Sequence, residues 1–541
     1  MWYKAEALGT EYAGKHLYDN GLTPIYVSDN PILNAQHVVF EAAKSYKYGL
    51  PYYAALASVT SAPAERLGLG QRLGKIKAGY DADMVVWDSD PLSVGATPVQ
   101  VWIDGAAQFK DPVKLDKPFR GVIIPNEDLG ELPGKPSETS GDVVFKGITK
   151  SLLDVDTSDF PADGVAFNVA VSNGSITCIG RCDAELEAVL SISPGNVIRL
   201  ENGHITPSFT AFGSTLGLNA IESEKDTDNG ADGNTFSRGI DGLALDTEKL
   251  RMAHRYGVTH VISSPKFTRE NTHHGTSVGF LTGSAGSLSS GAILVSDAAV
   301  HYTLDLSVKG GNGAPSISAA VGDLRAKLLE TITAFPAKFI HSKNGLSETL
   351  FLQKVVAGEL PLAITVHSAD TIAAVLRVKR DVEKVVEDND GRTKLRVIII
   401  GGAEAHLLAD DLAAAGIGVV LAPFQSFAVS WDQRRALTGA PLTKDTAIDV
   451  LTKAGVVTAI GLEEDWVVRD LALLAGVAHA NGGGRISEKD AIGLISRSIY
   501  KMLGLTEPDW RQHFAIHEGN PLEIDSRVKV VGDGTGKFLL V

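Results

Sequence analysis

The sequence predicts an α/β protein: a complete unit built on an eight-stranded β/α barrel with a small sheet beside it, preceded by the tail of a second such unit. Three observations carry this. From about residue 205 onward, apolar runs without alternation recur, each joined to the next by a helical stretch. That is the pattern of a parallel sheet buried on both faces. Shorter, alternating runs before that point carry turn signals and read as strands of a small sheet. Three segments near the N-terminus recur, in order, near the C-terminus, the mark of an internal repeat.

The repeat is specific. Met84–Gly105 reads MVVWDSDPLSVGATPVQVWIDG and Phe514–Gly534 reads FAIHEGNPLEIDSRVKVVGDG. Pro91-Leu92 matches Pro521-Leu522, and Asp104-Gly105 matches Asp533-Gly534. Each stretch predicts a strand, a Pro turn and a second strand closed by an Asp-Gly turn. Ala54–Leu69 resembles Asp490–Leu505; both predict a helix and end in Leu-Gly-Leu, with glycine where a helix C-cap favours it. Gly21–Asp29 resembles Gly455–Glu463, each a short apolar run ending in a carboxylate. The three pairs are offset by 429 to 436 positions. With the second copy starting near Asp142, the first is expected to begin about 290 residues upstream of Met1. The chain therefore reads as truncated, the end of one unit followed by one whole unit.

The organisation follows. Residues 1–60 are expected to be a remnant of the first barrel, with Thr23–Ser28 as its last strand, and 61–108 the sheet end of that unit. Residues 109–141, rich in Pro, Lys, Asp and Gly, read as a linker. The second unit takes its small sheet from 142–205 and 506–541, with strands at Val143–Ile148 and Val165–Gly180. Its barrel spans 206–505. There a helix at Thr247–Tyr256 precedes a strand at Thr259–Ser263. Strands Leu362–His367, Leu395–Gly401, Gly418–Ala422 and Val457–Gly461 then alternate with helices Ala369–Glu387, Glu404–Ala415 and Val467–Ala480. The region is long enough to close eight strands into a barrel; an open doubly wound sheet is the alternative. Glu222–Asn234, Gly283–Gly291 and Gly310–Gly313 read as loops.

With 65 acidic and 50 basic side chains, the net charge is −15. Such a surface repels nucleic-acid phosphates and anionic lipid, leaving a small molecule as the expected partner. No apolar run suits a membrane span, and MWYKAEALGTEY lacks the apolar core of a signal peptide. A cytoplasmic location is compatible with this. The two cysteines, Cys178 and Cys182, make neither a disulfide framework nor a Cys₄ zinc site and fit a reducing compartment.

Leu73–Asp90, LGKIKAGYDADMVVWDSD, with Ala62-Pro63-Ala64 before it and Ile103-Asp104-Gly105 after it, resembles the C-terminal signature of the amidohydrolase superfamily. The likeness reaches back through Ser28-Asp29. More narrowly, the chain is similar to double-length amidohydrolase-related proteins, relatives of imidazolonepropionases and N-acetylglucosamine-6-phosphate deacetylase-like esterases. It is strong over 21–105 and weaker over 142–541. The resemblance implies a (β/α)₈ TIM-like barrel flanked by a composite β-sandwich built from both ends of each unit. It also implies a metal-dependent hydrolase of non-peptide C–N bonds, with one or two divalent metals, zinc above all, at the C-terminal ends of the strands. Bound metal lowers the pKa of water to ~7 and supplies hydroxide at neutral pH.

Carried over by residue, Asp29 matches the last-strand Asp that acts as metal ligand and general base; an Asp capping the next helix is the alternative. In the second unit the first strand should carry a His-x-His pair, but Gly213 and Thr215 stand there. His367 and His406 follow successive strands where metal imidazoles belong, a hydrogen-bonded core histidine at 367 and a first-turn helix histidine at 406 being the alternatives, and Glu463 aligns with Asp29 as the catalytic carboxylate. Glu463, Glu464 and Asp465 also read as an acidic helix N-terminus. His273-His274 fall in a predicted loop. The expectation is an incomplete, degenerate metal site in either unit, with low zinc occupancy. A non-catalytic structural or ligand-binding barrel is the alternative function. Residues 1–108 are expected to dock on the second unit.

Overall fold

A computed structural model describes residues 10–117, 136–154, 160–161, 164–231, 233, 235–309, 313–334, 346–389 and 394–541. Residues 310–312 of the expected Gly310–Gly313 connection and much of the 109–141 linker lie outside them. Among the described residues, no helix is long and apolar enough to cross a membrane.

The non-alternating runs form curled sheets in a mixed α/β architecture. One has six strands in the spatial order His273–Thr276, Val300–Thr303, Leu362–Val366, Val397–Gly401, Gly418–Leu421 and Thr458–Ile460, the last five mutually parallel. These five strands are buried almost throughout, as a parallel sheet covered on both faces requires. A four-stranded sheet orders Ile293–Val295, Val278–Leu281, Val258–Ser263 and Phe209–Ser214, the last two parallel. The sheets meet at two seams. At one, the Leu462 N–H donates to Phe212 O at 2.9 Å. At the other, the stretch from His273 to Leu281 runs antiparallel to both neighbours, first against Val300–Thr303 and then against Val258–Ser263.

That antiparallel stretch corrects two expectations: the strands are not all parallel, and His273-His274 are not in a loop. Both histidines are buried in a strand. Gly275, at φ 108°, makes the crossing possible; a Cβ there would lie 1.8 Å from Ser237 O.

An eight-stranded sheet lies beside these. Its order is Ser137–Thr139, Phe538–Leu540, Arg527–Asp533, His513–Glu518, Val197–Pro207, Val143–Ser151, Phe167–Ser172 and Ser175–Gly180. It thus joins segments from both sides of residues 208–512 around a separate core that includes Phe145, Val169, Phe514 and Val530. Within it the structure joins Cys178 to Cys182 as a disulfide. Composition excluded a framework of disulfides but not this single bridge: the strand end and the helix Asp183–Ile192 bring the two Cα atoms to 5.7 Å.

In the N-terminal segment, Met84–Trp87, Pro98–Ile103 and Ala106–Ala107 form their own three-stranded sheet. Thr23–Ser28 is not a strand: among the described residues no neighbour offers it a ladder, and the Tyr26 N–H donates instead to Ser58 O at 3.3 Å. The single helix expected over Ala54–Leu69 is two, Tyr52–Ala57 and Ser61–Arg66. Asp490–Leu505 is likewise split, into Glu488–Gly493 and Arg497–Leu503.

These departures match between the two segments. The breaks fall at Thr60 (φ −133°, ψ −89°) and Ser496 (φ −146°, ψ −101°), paired positions of the sequence match. The bond from Tyr26 to Ser58 has its counterpart from Ile460 N to Leu494 O, 2.9 Å. The hairpins carry register shifts at Val86/Trp87 and at Ile516/His517. Asp90 Oδ1 accepts from Leu92 N at 2.9 Å, as Asn520 Oδ1 does from Leu522 N at 3.1 Å. Leu92 and Leu522 are both fully buried.

The N-terminal segment packs on the remainder. Val39, Ala42, Leu50, Leu92 and Val94 share one apolar core with strands of both curled sheets. Lys47 Nζ donates to Ser526 O at 2.7 Å. The two Pro-Leu loops meet across the helix Leu471–Asn481: a Cβ on Gly476 would lie 2.3 Å from Leu522 O and 2.9 Å from Val94 Cγ1.

Candidate functional site

The C-terminal ends of the parallel strands are where a β/α sheet collects its chemistry. At the end of Phe209–Ser214, Gly213 holds φ 98° and has its Cα against the adjoining chain, so a Cβ would lie 3.2 Å from Leu462 O. Any side chain there would be strained by that φ and pressed against the carbonyl. Thr215 is occupied differently: its N–H and Oγ1 donate to Asp465 at 3.1 and 3.2 Å. Lys249 Nζ, from the helix Glu248–Arg255, lies 2.9 Å from Asp465 Oδ2. Asp465 is buried. Its charge is met by an ammonium and two hydrogen bonds, which is how a buried carboxylate is made tolerable.

His367 directly follows the strand Leu362–Val366, and its ring lies over Gly401, whose Cβ would come 2.6 Å from Cε1. Its Nδ1 is buried without a partner among the described residues. Burial lowers its pKa, opposed by Asp305 and Glu404. His406 sits in the turn Ala405–Leu408, and burial also lowers its pKa. Between them, Glu404 is fully buried. Its carboxylate accepts from Arg435 Nη2 at 2.6 Å, Arg435 N at 3.0 Å and Ala369 N at 3.0 Å. Burial alone would raise the Glu404 pKa, but these donors outweigh it and hold the group below the usual carboxylate range.

Glu463 and Glu464 face a cleft of about 190 Å³ between the helix Val38–Lys47 and the ends of Gly418–Leu421 and Thr458–Ile460. Phe40, Phe424 and Trp466 supply apolar wall. Burial raises Glu463. Burial, then Glu222, Glu463 and Asp465, push Glu464 up to about 7, against the pull of Lys249.

Asp29 is exposed in a turn at φ 48°. It does not cap the next helix; Asn34 does, its Oδ1 accepting from Gln36 N at 3.2 Å.

The residues do not fit the metal centre that the resemblance implies. Among the described residues, one group of three metal-ligating atoms lies mutually within 4.8 Å, that of Cys178, Cys182 and Glu185. Two of its members are consumed in the disulfide. His367, His406 and Glu463 form no such group. Sequence reasoning missed the roles of Asp465, Lys249 and Glu404. Asp465 stood in view within the acidic run, and its distinguishing signal is register, three residues beyond the tight Gly461-Leu462 seam.

Comparison with known proteins bears on the class. The Amidohydrolase family model matches residues 19–107. The chain is 52% identical over 538 residues to the amidohydrolase tasK of Hapsidospora irregularis, an alignment covering 94% of this chain and 54% of that protein. The solved structure of an amidohydrolase from Thermotoga maritima MSB8 superposes with a TM-score of 0.55 at 18% identity, covering 72% of this chain and 98% of that one. The chain belongs to the amidohydrolase superfamily. It spans about half the length of the curated relative it matches.

Proposed function

We propose that this chain is the C-terminal part of a double-length, metal-dependent hydrolase of non-peptide C–N bonds, and that its own complete unit is a degenerate barrel without a working metal centre. In this reading residues 206–505 are a TIM-like barrel, residues 142–205 and 506–541 its flanking sandwich, and residues 1–108 the remnant of a first unit. The matched breaks, register shifts and Pro-Leu loops support that reading. Hydrolysis in the whole protein belongs to the first barrel, where Asp29 would be the last-strand carboxylate and zinc the favoured metal.

One observation carries the degeneracy: Lys249 and Thr215 occupy Asp465, so an internal ammonium neutralises the carboxylate at the seam with the first strand. Elemental analysis of the purified chain tests it. Zinc well below one per chain, with negligible hydrolysis of amide and cyclic ureide substrates, is expected. One metal retained per chain through dialysis against chelator would overturn the reading. A second reading, a ligand-binding barrel, is favoured by the apolar cleft beside Glu464. Its mark is saturable binding of an apolar amine or amide without turnover.

A further inference from the structure

A second cavity, of about 250 Å³, lies away from the strand ends. Its wall is contributed by the helix Val38–Lys47, the segment running into the helix Leu471–Asn481, and the strands His513–Glu518 and Arg527–Asp533. The charges on that wall are Lys47, Arg255, Arg469, Arg527 and Lys529, opposed by Glu11 and the α-carboxylate of Val541.

This is a reversal of the chain's balance. The protein has 65 acidic side chains and a net charge of −15, so carboxylates are abundant, yet only one acidic side chain, Glu11, and the carboxylate of Val541 face five cations among the described residues. Glu11 is itself engaged, its Oε1 accepting from Tyr256 Oη at 2.9 Å. Arg255 pairs with Glu248 at 2.9 Å, and Lys47 Nζ is held by the carbonyls of Ser526 and Ile524. Arg469, Arg527 and Lys529 make no ion pair within 4.0 Å among the described residues; burial disfavours the charged form of Arg469, but Asp470, which pairs with Lys44 at 3.3 Å, favours it. Arg469 Nε is buried with no hydrogen-bond partner, and Arg527 spends one N–H on Ser526 O at 3.3 Å.

Gathering like charges where water is partly excluded is unfavourable unless something of opposite sign joins them. The cost shows at Lys47, which burial, and then Arg527, push down to about 7. A planar guanidinium offers a fork of donors matched to the paired oxygens of a carboxylate or phosphate. Two of them on one wall suit an anion with more than one negative charge. We propose that this cavity binds a small multivalent oxyanion, a phosphate or polycarboxylate group, at Arg469 and Arg527, with Lys529 adding charge. The site joins the N-terminal segment to the second unit, so its ligand would also fasten the two together. The proposal does not depend on the state of the metal centre.

The full chain is titrated by calorimetry and melted with sodium phosphate, or with sodium citrate, against sodium chloride at equal ionic strength. Binding of at least one oxyanion, and a melting midpoint raised beyond that in chloride, are expected. Phosphate alone answering assigns a phosphate group, and citrate alone a polycarboxylate. Arg469→Gln and Arg527→Gln are each expected to weaken binding at least about tenfold, ~1.4 kcal/mol. Lys384→Gln, on an exposed helix face, should leave it unchanged. If Arg469→Gln fails to fold, Arg527→Gln alone decides. Equal midpoints in phosphate, citrate and chloride, or undiminished binding in Arg527→Gln, would overturn the proposal.

Discussion

Lys249→Met is the sharpest probe of the strand-end site. Lys249 Nζ lies 2.9 Å from Asp465 Oδ2, with side-chain exposures of 19% and 6%. Removing one partner of a buried ion pair typically costs ~3–5 kcal/mol, because the other charge is left uncompensated. Here the cost is lower, since Lys249 keeps one edge in water and Asp465 keeps both bonds from Thr215; about 2–3 kcal/mol is expected. Asp465→Asn leaves an ammonium that can swing towards solvent, and about 1–2 kcal/mol should be lost. In the double variant the charges leave together, so its loss should be close to that of Asp465→Asn alone. The coupling, about 2 kcal/mol, is read from urea unfolding of the four proteins, taking the first transition of the chain. Zinc or EDTA should not move the parent's midpoint. Additivity within about 0.5 kcal/mol would show that Lys249 does not neutralise Asp465. Stabilisation of the parent by zinc would show that a metal does.

Three further outcomes follow from the same geometry. Gly213→His restores one missing imidazole but forces a side chain into φ 98°, 3.2 Å from Leu462 O; it should cost about 1–3 kcal/mol and add no zinc by elemental analysis. Glu464, raised to about 7 by burial, is penalised in its charged form. The penalty is absent below its unfolded value near 4.5 and complete above about 7, so Glu464→Gln should match the parent in acid. At about pH 8 it should exceed it by on the order of 1 kcal/mol, a figure discounted for the half-open site, as measured by urea midpoints. Gly476→Ala places a Cβ 2.3 Å from Leu522 O; it should part the two Pro-Leu loops and speed proteolysis within residues 84–108, whereas unchanged cleavage would show the loops do not depend on that contact.

The strands that could be read from sequence were those whose burial leaves no ambiguity. Leu362–Val366, Val397–Gly401 and Gly418–Leu421 are apolar on both faces and bounded by helices, so period and composition agree. The antiparallel His273–Leu281 was hidden because its residues, HHGTSVGFL, mix polar and small side chains. They are buried by tertiary pairing rather than by their own hydrophobicity, with His274 Nε2 and Thr303 Oγ1 2.5 Å apart. The helix breaks at Thr60 and Ser496 were hidden because apolar spacing runs on through them, although Pro63 falls in the first turn of Ser61–Arg66 and Gly493 ends Glu488–Gly493. At the site, residue types at strand ends were legible and their partners were not. Nothing local to Glu404 announces Arg435, which reaches it from 31 residues on.

The matched features of the two segments separate what a fold requires from what a reaction requires. The Pro-Leu loops, the register shifts and the left-handed glycines at Gly68 and Gly504 each hold backbone in place, and each buries or terminates something. Leu92 and Leu522 are fully buried, where truncation to Ala costs about 2–5 kcal/mol whatever chemistry the unit performs. Ligand positions carry no such penalty once a metal is not needed. Leaving a buried carboxylate bare does carry one, so it must acquire a new counter-ion. Asp465 has Lys249, and Glu404 has Arg435. Asp465 and Glu404 are thus held by cations of the chain itself, whereas Glu463 and Glu464, facing the cleft, form no ion pair among the described residues, and their raised pKa values show what burial without one costs.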